Sequence, residues 1–498
     1  MPEWILPATF LALLSEFRPI FTAPSFANFE VLVCGFVHAL GGHRISDGVR
    51  AAGALASKHY CTYYRFFSHA RWSLDELGLA MLALIAAVFP GIEVEIVVDD
   101  TLCRRTGKKV ALGTMHADPV LRQGGKPFQS YGHVFVVLAV HIRVPLLSET
   151  GWALPFMFRL FEGPRVGGRA DSPSDQRRAH HRRRKKLSKR ARVRKTDRKV
   201  VRGKVVACPT RKDTGPLPDE ARPTKLQLAA EMLVVIARRF SAFRFRVLAD
   251  HLYAGNAVLQ GVLTQVNNVS FVMRGRPDAA LYALPPPPGP GARGRRRVKG
   301  ERLQNPEQWA AAHPEAFEEI RVELYGQRAT MQVASFEGMA YRSLPGRLVR
   351  YVIARDPIGI YKTSYFFSTD LNLTAAQIVA AFGRRWPLEQ TFRDAKQKLG
   401  IEDPQTQLPA AVRRSAPFGL LLYSLVVLWY VTDGHREAAS LRAHRDPWYA
   451  KTTRPSFSEM RAALRRCGWA KAFADPAHLS AARSKTLASY LARVAAAA

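Results

Sequence analysis

The stretch EVEIVVDD, residues 93–100, contains a run of apolar, mostly β-branched residues and ends in two acids. Such runs, bounded by polar residues, are typical of strands that lie inside a sheet. Two similar runs follow, HVFVVLAVHI at 133–142 and ALPFMFRLF at 153–161. We therefore predict that 93–100 is a buried strand that ends at Asp99 and Asp100, since strand ends are where α/β sheets present chemistry.

A second set of elements follows a long polar interruption. TKLQLAAEMLVVIARRF, residues 224–240, has helical periodicity with Thr224 as an N-cap, and FRVLAD reads as a strand that ends at Asp250. A helix around 254–266 and a strand at 269–275 complete the series. The order strand, strand, strand, helix, strand, helix, strand predicts a mixed α/β sheet with helices packed on it.

Changes in composition divide the 498 residues into five regions. LPPPPGPGARGRRRVKG, residues 284–300, is a Pro/Gly loop that turns basic, and four short apolar runs after it predict strands. The regions we expect are a helical DNA-binding region at 1–90, the first part of the α/β core at 91–275 with a basic loop at 177–212, a β-rich insertion at 276–370, the second part of the core at 371–431 and a helical C-terminal region at 432–498. The role of the last region, dimerisation or DNA binding, stays open.

The charge balance indicates a polyanionic partner. The chain has 74 Lys and Arg against 40 Asp and Glu, a formal net charge of +34, and residues 177–204 alone contain sixteen Lys or Arg and one acid. Nucleic acid is the first partner that such a balance predicts, and an anionic membrane the second. The basic run either contacts phosphates or forms a solvated loop, and we favour phosphate contact because the whole chain shares the bias.

Several classes of protein are disfavoured by the sequence. The longest apolar run, 416–431, is shorter than the roughly 20 residues that span a bilayer, and the first residues lack the basic segment of a signal peptide. The five cysteines include no CxxC pair, which favours a reducing cytoplasm without structural zinc. No GxxxxGK[ST] motif occurs, so we expect no nucleotide cofactor. Because the longest apolar run is too short to span a bilayer, we also expect no membrane partner.

KHYCTYYRFFSHARW, residues 58–72, interleaves cations with six Tyr, Phe and Trp residues. Basic residues between aromatic ones suit a nucleic-acid surface, because bases stack on aromatic rings. A helix whose aromatic residues face a core and whose cations are solvated has the same composition. Both interpretations stay open at this point.

The stretch RRWPLEQTFRDAKQKLG, residues 384–400, places Glu389 among five cations. A capping-box pattern of Thr374 and Gln377 predicts the start of a helix before it. Pro387 then predicts either a kink or a new helix that begins there. A new helix would place Glu389 in its first turn, where the helix dipole favours a carboxylate. The apolar residues behind it have the spacing of one buried stripe, namely Leu388, Phe392, Ala395 and Leu399.

Asp99, Asp250 and Glu389 are the candidate catalytic acids. Three carboxylates brought together bind two Mg²⁺ ions about 3.5–4 Å apart and drive in-line displacement at phosphorus. Carboxylates suit the task because Mg²⁺ is a hard cation that prefers oxygen. Each acid alone is explained as well by a turn, a helix cap or a solvated helix face. Their order, the strand context and the basic surroundings favour the joint interpretation.

Two groups of motifs carry a resemblance to a known family. Phe382-x2-Arg385-x3-Glu389-x6-Lys396 is similar to the Y-x2-R-x3-E-x6-K signature of DDE transposases from bacterial insertion sequences, with Phe382 in place of Tyr. VVDDTLCRRTGKK and VLADHLYAGN resemble the first and second Asp blocks of the same superfamily, and GGHRISDGVRAAGALASKHYCTYYRFFSHARWS resembles the N-terminal region of one branch. The resemblance covers roughly residues 40 to 430.

The resemblance implies a ribonuclease H-like mixed sheet with helices on both faces, interrupted by a β-rich insertion. It implies cleavage at transposon ends with two Mg²⁺ ions per site, for which Mn²⁺ would substitute, and strand transfer by the freed 3′-hydroxyl. The implied partners are terminal inverted repeats and target DNA, bound by a homodimer when two ends are synapsed. The implied location is the bacterial cytoplasm, in association with the nucleoid.

Carried over by position, the resemblance makes Asp99, Asp250 and Glu389 the catalytic and metal-binding triad. Asp100 is the alternative to Asp99, and because side chains alternate along a strand, we expect only one of them to serve. Arg385 and Lys396 would contact terminal phosphates, and Trp386 would stack on a displaced base or pack as a hinge residue. The full set of predicted DNA-binding residues is Phe382, Arg385, Trp386, Lys396, Arg104, Lys108, Arg183, Arg184, Lys185, Arg295, Arg296 and Arg297.

Two other functions compete with the transposase. The first is a metal-dependent, structure-selective nuclease on the same fold, which would cut DNA without joining it. The second is a non-catalytic DNA-binding protein derived from a transposase, which would require that a triad acid be missing. All three acids are present, which disfavours the non-catalytic protein, and the YREK-like signature and the β-rich insertion favour the transposase over the nuclease.

Overall fold

The computed structural model describes residues 6–474, apart from 92, 108, 124–125, 146, 164–221, 288–295, 325–326, 360–361 and 437–453. The described α-helices are α1 (Ala8–Ser15), α2 (Ala23–His38), α3 (Ile45–Ala52), α4 (Tyr60–Ser68), α5 (Leu74–Val88), α6 (Lys225–Arg239), α7 (Asn256–Leu263), α8 (Pro306–Ala312), α9 (Ala375–Gly383), α10 (Trp386–Lys398), α11 (Pro409–Trp429) and α12 (Phe457–Ala474). The described strands are β1 (Glu93–Arg104), β2 (Thr114–Gln123), β3 (Lys126–Val144), β4 (Ser148–Phe161), β5 (Arg244–Ala249), β6 (Val269–Arg274), β7 (Glu318–Leu324), β8 (Gln327–Gly338), β9 (Val349–Arg355) and β10 (Ser364–Ser368).

The ten described strands belong to one mixed sheet. β1 pairs antiparallel with β3 and parallel with β5, β4 pairs antiparallel with β3, and β6 continues parallel to β5. Helix α6 precedes β5 and helix α7 precedes β6. Three antiparallel strands followed by two parallel ones, with a helix before each of these, is the ribonuclease H-like order. The predicted α/β class is therefore confirmed.

The strands of the region 276–370 extend the same sheet. β10 pairs antiparallel with β6, and β9, β8 and β7 follow it outward, each antiparallel to its neighbour. The four strands that the short apolar runs predict are confirmed. The insertion is thus joined to the core through continuous backbone hydrogen bonding, while the division of the chain into five regions stays a prediction.

Strand β2 is an element that the sequence pattern does not predict. It is TMHADPVLRQ, which contains the strand-breaking residues Asp118 and Pro119. Its pairing with β3 shifts register between Asp118 and Arg122, as a β-bulge does. The buried Asp118 carboxylate compensates for the irregularity, since it accepts hydrogen bonds from Arg104, Ser130 and the Val120 N–H. A polar group that breaks the pattern in the sequence therefore organises the bulge in the fold.

The chain breaks between α9 and α10. Thr374 caps α9 with the predicted Gln377 partner, and α9 ends at Gly383. Helix α10 begins at Trp386 with Pro387 as its second residue, where a missing N–H costs nothing. The new helix is confirmed, and Glu389 lies in its first turn. The stripe behind it is buried as predicted, at Leu388, Phe392, Ala395 and Leu399.

The N-terminal helices pack on the sheet domain through an aromatic cluster. Phe66 and Phe67 of α4 contact Phe418 of α11, with ring centroids 6.3 and 5.3 Å apart. The stretch 58–72 is therefore mixed: Tyr63, Phe66, Phe67 and Trp72 are core, whereas Tyr60 and Tyr64 are exposed. The core interpretation is confirmed for the four buried residues, whereas nucleic-acid contact by Tyr60 and Tyr64 stays a prediction.

One helix in the described part of the chain, spanning Pro409–Gly434 with its π-helical last turn, is long and apolar enough to cross a membrane. Of its most apolar 18-residue window, 89% is buried inside the protein. The helix packs against β4, and the Ser424 hydroxyl donates a hydrogen bond to the Pro155 carbonyl. Its hydrophobicity is thus explained by its place in the core.

Helix α12 connects distant parts of the chain. Its side chains at Phe457, Met460 and Leu464 are in the core. The buried Arg461 donates hydrogen bonds to the Lys398 carbonyl at the end of α10 and to the Ala39 carbonyl after α2. Cations at helix C-termini satisfy carbonyls that have no partner within the helix. This part of the C-terminal region therefore holds the Glu389 helix in place.

Candidate active site

Asp99 and Asp250 lie side by side at adjacent parallel strands. The last register pair of β1 and β5 is Val98 with Ala249, and each acid is the next residue of its strand. Adjacent strands are about 4.8 Å apart. The two carboxyl groups therefore emerge at the same level of the sheet, with Asp250 at the C-terminal end of β5.

Asp99 is a partly buried acid with one cationic partner. Its Oδ2 accepts a hydrogen bond from Arg385 Nη1 at 2.7 Å, and its Oδ1 accepts one from the Asp100 N–H at 2.8 Å. Burial nevertheless raises the pKa of Asp99 to about 6, because the charges of Asp100 and Glu389 add to desolvation and together outweigh Arg385. Such a shift at a cleft is typical of functional carboxylates.

Asp100 has different partners from Asp99. Its carboxylate pairs with Lys225 Nζ at 2.7 Å and accepts a hydrogen bond from the Tyr253 hydroxyl at 3.1 Å. Lys225 is the first residue of α6, so Asp100 ties β1 to that helix. Asp99 is the acid of this pair that reaches Arg385.

Glu389 faces Asp99 across a single guanidinium. Its carboxylate is half-exposed and accepts a hydrogen bond from Arg385 Nη2 at 2.8 Å. Arg385 therefore contacts Asp99 and Glu389 at once. Although burial acts in the opposite sense, the His251 N–H and the Arg385 charge lower the pKa of Asp250. In this structure the Arg385 guanidinium points inward because it bonds Asp99 and Glu389, and its contact with DNA phosphates stays a prediction.

Arg384, the preceding residue, anchors the start of α10. It donates two hydrogen bonds to Glu95 of β1, at 2.7 and 2.5 Å, and His141 Nδ1 lies 3.3 Å from the same carboxylate. Burial acts to raise the pKa of Glu95, but the bonds from His141 and Arg384 hold it at about 2. The paired arginines thus bond two acids of one strand, four residues apart.

The other end of α10 is held by the loop that follows it. Glu402 accepts a hydrogen bond from the Arg104 N–H at 2.9 Å and lies 3.8 Å from Lys396 Nζ. The buried Arg105 donates to the Ile401 carbonyl at 3.0 Å. Strand β1 therefore fixes α10 at both ends, which sets the position of Glu389 relative to Asp99.

The predicted DNA-binding residues separate into four groups. Phe382, Arg385, Trp386 and Glu389 line one open groove of about 400 Å³ beside the acids. Phe382 is 8% exposed and packs on Phe366 with ring centroids 4.8 Å apart, so its ring is mainly core. Arg104 and Lys396 are engaged by acids, whereas Arg296 and Arg297 are exposed. The remaining residues lie outside the described part of the chain, namely Lys108, Arg183, Arg184, Lys185 and Arg295.

Arg384, Glu95 and Glu402 were not singled out in the sequence. The signal for Glu95 is an acid inside the apolar run of 93–100, where an unpaired charge would be costly. Arg384 has an equivalent signal, since it adjoins Arg385 at the helix break. Neither signal names the partner, because the two residues are 289 positions apart in the chain.

The carboxylates of Asp99, Asp250 and Glu389 are chemically suited to a hard divalent cation, but in this structure they are not spaced as the ligands of one ion. Among the described residues, no group of three or more His, Cys, Asp or Glu side chains is placed to hold a metal ion. Asp99 and Asp250 are adjacent, and Glu389 is separated from Asp99 by the Arg385 guanidinium alone. Two of the three carboxylates already share one cation, and carboxylates are the ligands that Mg²⁺ prefers.

A ribonuclease H-like sheet with two acids on adjacent parallel strands, opposite a glutamate in the first turn of a helix, defines a class of enzymes that act on nucleic acid. Residues 16–333 match the family described as DDE superfamily endonuclease. This is more than half of the chain, and the chain belongs to that family.

Further similarities of the chain are to transposases. Residues 324–433 match the family described as archaeal putative transposase ISC1217. Among curated proteins, none matches the chain. Among solved structures, the chain is similar to the piggyBac transposase in a synaptic complex with hairpin DNA, at 11% identity, with 95% of this chain and 79% of that chain covered. The TM-score of 0.32 carries no argument about fold or mechanism.

Proposed function

We propose that the protein is a DNA transposase that binds the ends of an insertion sequence, cleaves them by metal-dependent phosphodiester hydrolysis and joins the 3′ ends to target DNA. The observation that carries this proposal is the placement of Asp99 and Asp250 on adjacent parallel strands, with Glu389 facing them across Arg385. The Phe382, Arg385, Glu389 and Lys396 spacing supports a YREK-like enzyme of a bacterial element.

Asp99, Asp250 and Glu389 are the residues that would hold the metal. Two Mg²⁺ ions, or Mn²⁺ in their place, would activate water or a 3′-hydroxyl and stabilise the leaving oxygen when bound. The chain contributes the position of the carboxylates: β1 and β5 fix the two Asp side chains, and the bonds of Arg384 and Glu402 fix the glutamate helix. Asp100 keeps a structural role through Lys225 and Tyr253.

Double-stranded DNA is the partner that the charge favours. A net charge of +34 provides the sequence-independent part of DNA affinity, which weakens steeply with salt. Arg296, Arg297, the 177–204 run and the exposed Tyr60 and Tyr64 are candidate contacts. Trp386 lines the open groove with Glu389, which supports stacking of its ring on a displaced base. Two synapsed ends would require a homodimer on DNA in the cytoplasm.

The test is cleavage of a labelled duplex that carries the ends of the element encoding the chain. Wild type is compared with Glu389→Gln, each with Mg²⁺ and with EDTA. We expect Mg²⁺-dependent cuts at the ends, followed by joining to a target plasmid, and loss of both in the variant without loss of DNA binding. Glu337→Gln, which removes an exposed carboxylate paired with Arg350, is the matched control and should cut normally.

Each outcome of the test separates the transposase from its alternatives. Cuts that follow DNA structure rather than the terminal sequence, without joining, indicate a structure-selective nuclease. Binding without cutting in wild type and variant alike indicates a non-catalytic DNA-binding protein, in which Glu389 is only a charge on a helix face.

A further inference from the structure

The Arg385 cation bonds two acids of the site and acts on the third through its charge. The Arg385 guanidinium donates to Asp99 at 2.7 Å and to Glu389 at 2.8 Å, and its charge acts on Asp250 as well. Its side chain is 16% exposed and that of Asp99 is 23% exposed, so this pair is largely buried, whereas Glu389 is half-exposed. Acids this close together repel one another unless a cation lies between them.

We propose that the Arg385 guanidinium holds the place of the metal ions in the metal-free protein, and that metal loading and release of Arg385 are one exchange. This inference rests on the proposed function and adds a control to the same site. Arg385 is a positioning residue in this state: it keeps Asp99 and Glu389 facing each other at a separation that a cation can bridge.

The surroundings of Arg385 permit the exchange. Its Nε–H is buried and finds no hydrogen-bond acceptor among the described residues, so the inward position leaves one donor unsatisfied. An unsatisfied buried donor is unfavourable, which weakens the hold of the acids on this side chain. The residue lies at the break between two helices, as the N-cap of α10, and its side chain lines the open groove with Trp386. A rotation of the side chain therefore suffices to turn the guanidinium toward the groove.

The exchange couples metal to DNA. Once the acids bind a divalent cation, the guanidinium loses its anionic partners, and a DNA phosphate in the groove becomes its best one. Metal would then raise the affinity for DNA, and by thermodynamic reciprocity DNA would raise the affinity for metal to the same degree. A protein without DNA would load metal poorly, because Arg385 competes with the ions for the same oxygens.

The test measures metal binding rather than activity. Full-length wild type, Arg385→Gln and Arg385→Lys are titrated with Mn²⁺ without DNA, and free Mn²⁺ is followed by electron paramagnetic resonance. We expect a Kd for Mn²⁺ at least about tenfold lower in Arg385→Gln than in wild type, equivalent to about 1.4 kcal/mol. Arg385→Lys keeps the charge without the two-pronged geometry and should fall between them.

Arg143→Gln is the matched control for lost charge. Arg143 is at the far end of β3, where it pairs with Glu323, so its removal should leave the Mn²⁺ Kd unchanged. Melting curves in EDTA identify any variant that fails to fold. For folded Arg385→Gln, we also expect that Ca²⁺ no longer raises affinity for a labelled duplex at constant ionic strength, whereas it does so in wild type.

The outcomes distinguish this inference from the proposed function. Equal Mn²⁺ affinities in wild type, Arg385→Gln and Arg385→Lys overturn the exchange and leave the transposase proposal intact. Weaker Mn²⁺ binding in folded Arg385→Gln also overturns it, since the arginine would then support the bound metal. If no form of the protein binds Mn²⁺, with or without DNA, the proposed metal chemistry itself fails.

Discussion

Two arginine–carboxylate pairs on strand β1 are chemically alike, but the pKa values of their acids shift in opposite directions. Arg384 bonds Glu95 and Arg385 bonds Asp99, so neighbouring arginines meet acids four residues apart. The pKa of Glu95 is held at about 2, whereas the pKa of Asp99 is raised to about 6. The two pairs differ in how many cationic groups reach each acid and in how many other acids lie beside it.

The comparison shows what makes a buried ion pair structural. Burial acts on both acids, but Glu95 receives both prongs of Arg384 together with His141, and Arg246 lies 3.5 Å away. Asp99 receives one prong of an arginine that it shares with Glu389, beside the second acid of its own strand. A carboxylate that several cationic groups contact holds elements together, whereas a carboxylate that shares a single cation can bind another one.

The largest expected effect comes from removing Asp99, the acid that shares its one cation. Asp99→Asn should lower the rate of end cleavage at least about a thousandfold, or roughly 4 kcal/mol of barrier, because a metal ligand is lost. The same variant should unfold in EDTA at pH 7 with an unchanged or about 1 kcal/mol higher free energy, since it removes an ionised form that burial disfavours. Cleavage kinetics and urea titration check the two halves. A strongly destabilised Asp99→Asn would contradict the comparison.

Removal of Glu95, the acid with several cationic partners, should have the reverse effect on stability. Glu95→Gln should lower the free energy of unfolding at pH 7 by about 3 kcal/mol, since a pKa held at about 2 instead of 4.5 stabilises the folded state above pH 4.5. That contribution is lost as pH falls from 4.5 to 2, so the difference from wild type should be roughly halved at pH 3. Urea titrations at both pH values measure it, and a pH-independent loss would mean that packing rather than charge is responsible.

The smallest effect should come from α9, the helix that ends just before the two arginines. Thr374 caps α9, so Thr374→Ala should cost about 1 kcal/mol of stability. The loss should be shared by both ion pairs, because α9 leads directly into Arg384 and Arg385. Thr374→Ser retains the capping oxygen and is the control that should remain near wild type. If Thr374→Ala changed cleavage without changing stability, the helix would have a role beyond support.

Local patterns predicted much of this molecule, and contacts between distant residues account for the rest. The buried runs gave nine of the ten described strands, and Pro387 and Thr374 gave the helix break and cap, since each of these signals lies within a few residues. Strand β2 was missed because Asp118 and Pro119 hide it. The inward position of Arg385 was missed because it depends on Asp99, 286 positions earlier in the chain.

That separation has a consequence for the newborn protein. Strand β1 leaves the ribosome long before α10 is made, and at about 5–20 residues per second the delay is roughly 15–60 seconds. During this time Asp99 and Glu95 lack the arginines that neutralise them in the finished fold. The acids at the centre of the sheet therefore gain these arginine partners late in synthesis. The set of Asp99, Asp250 and Glu389 is incomplete until about four-fifths of the chain has been made.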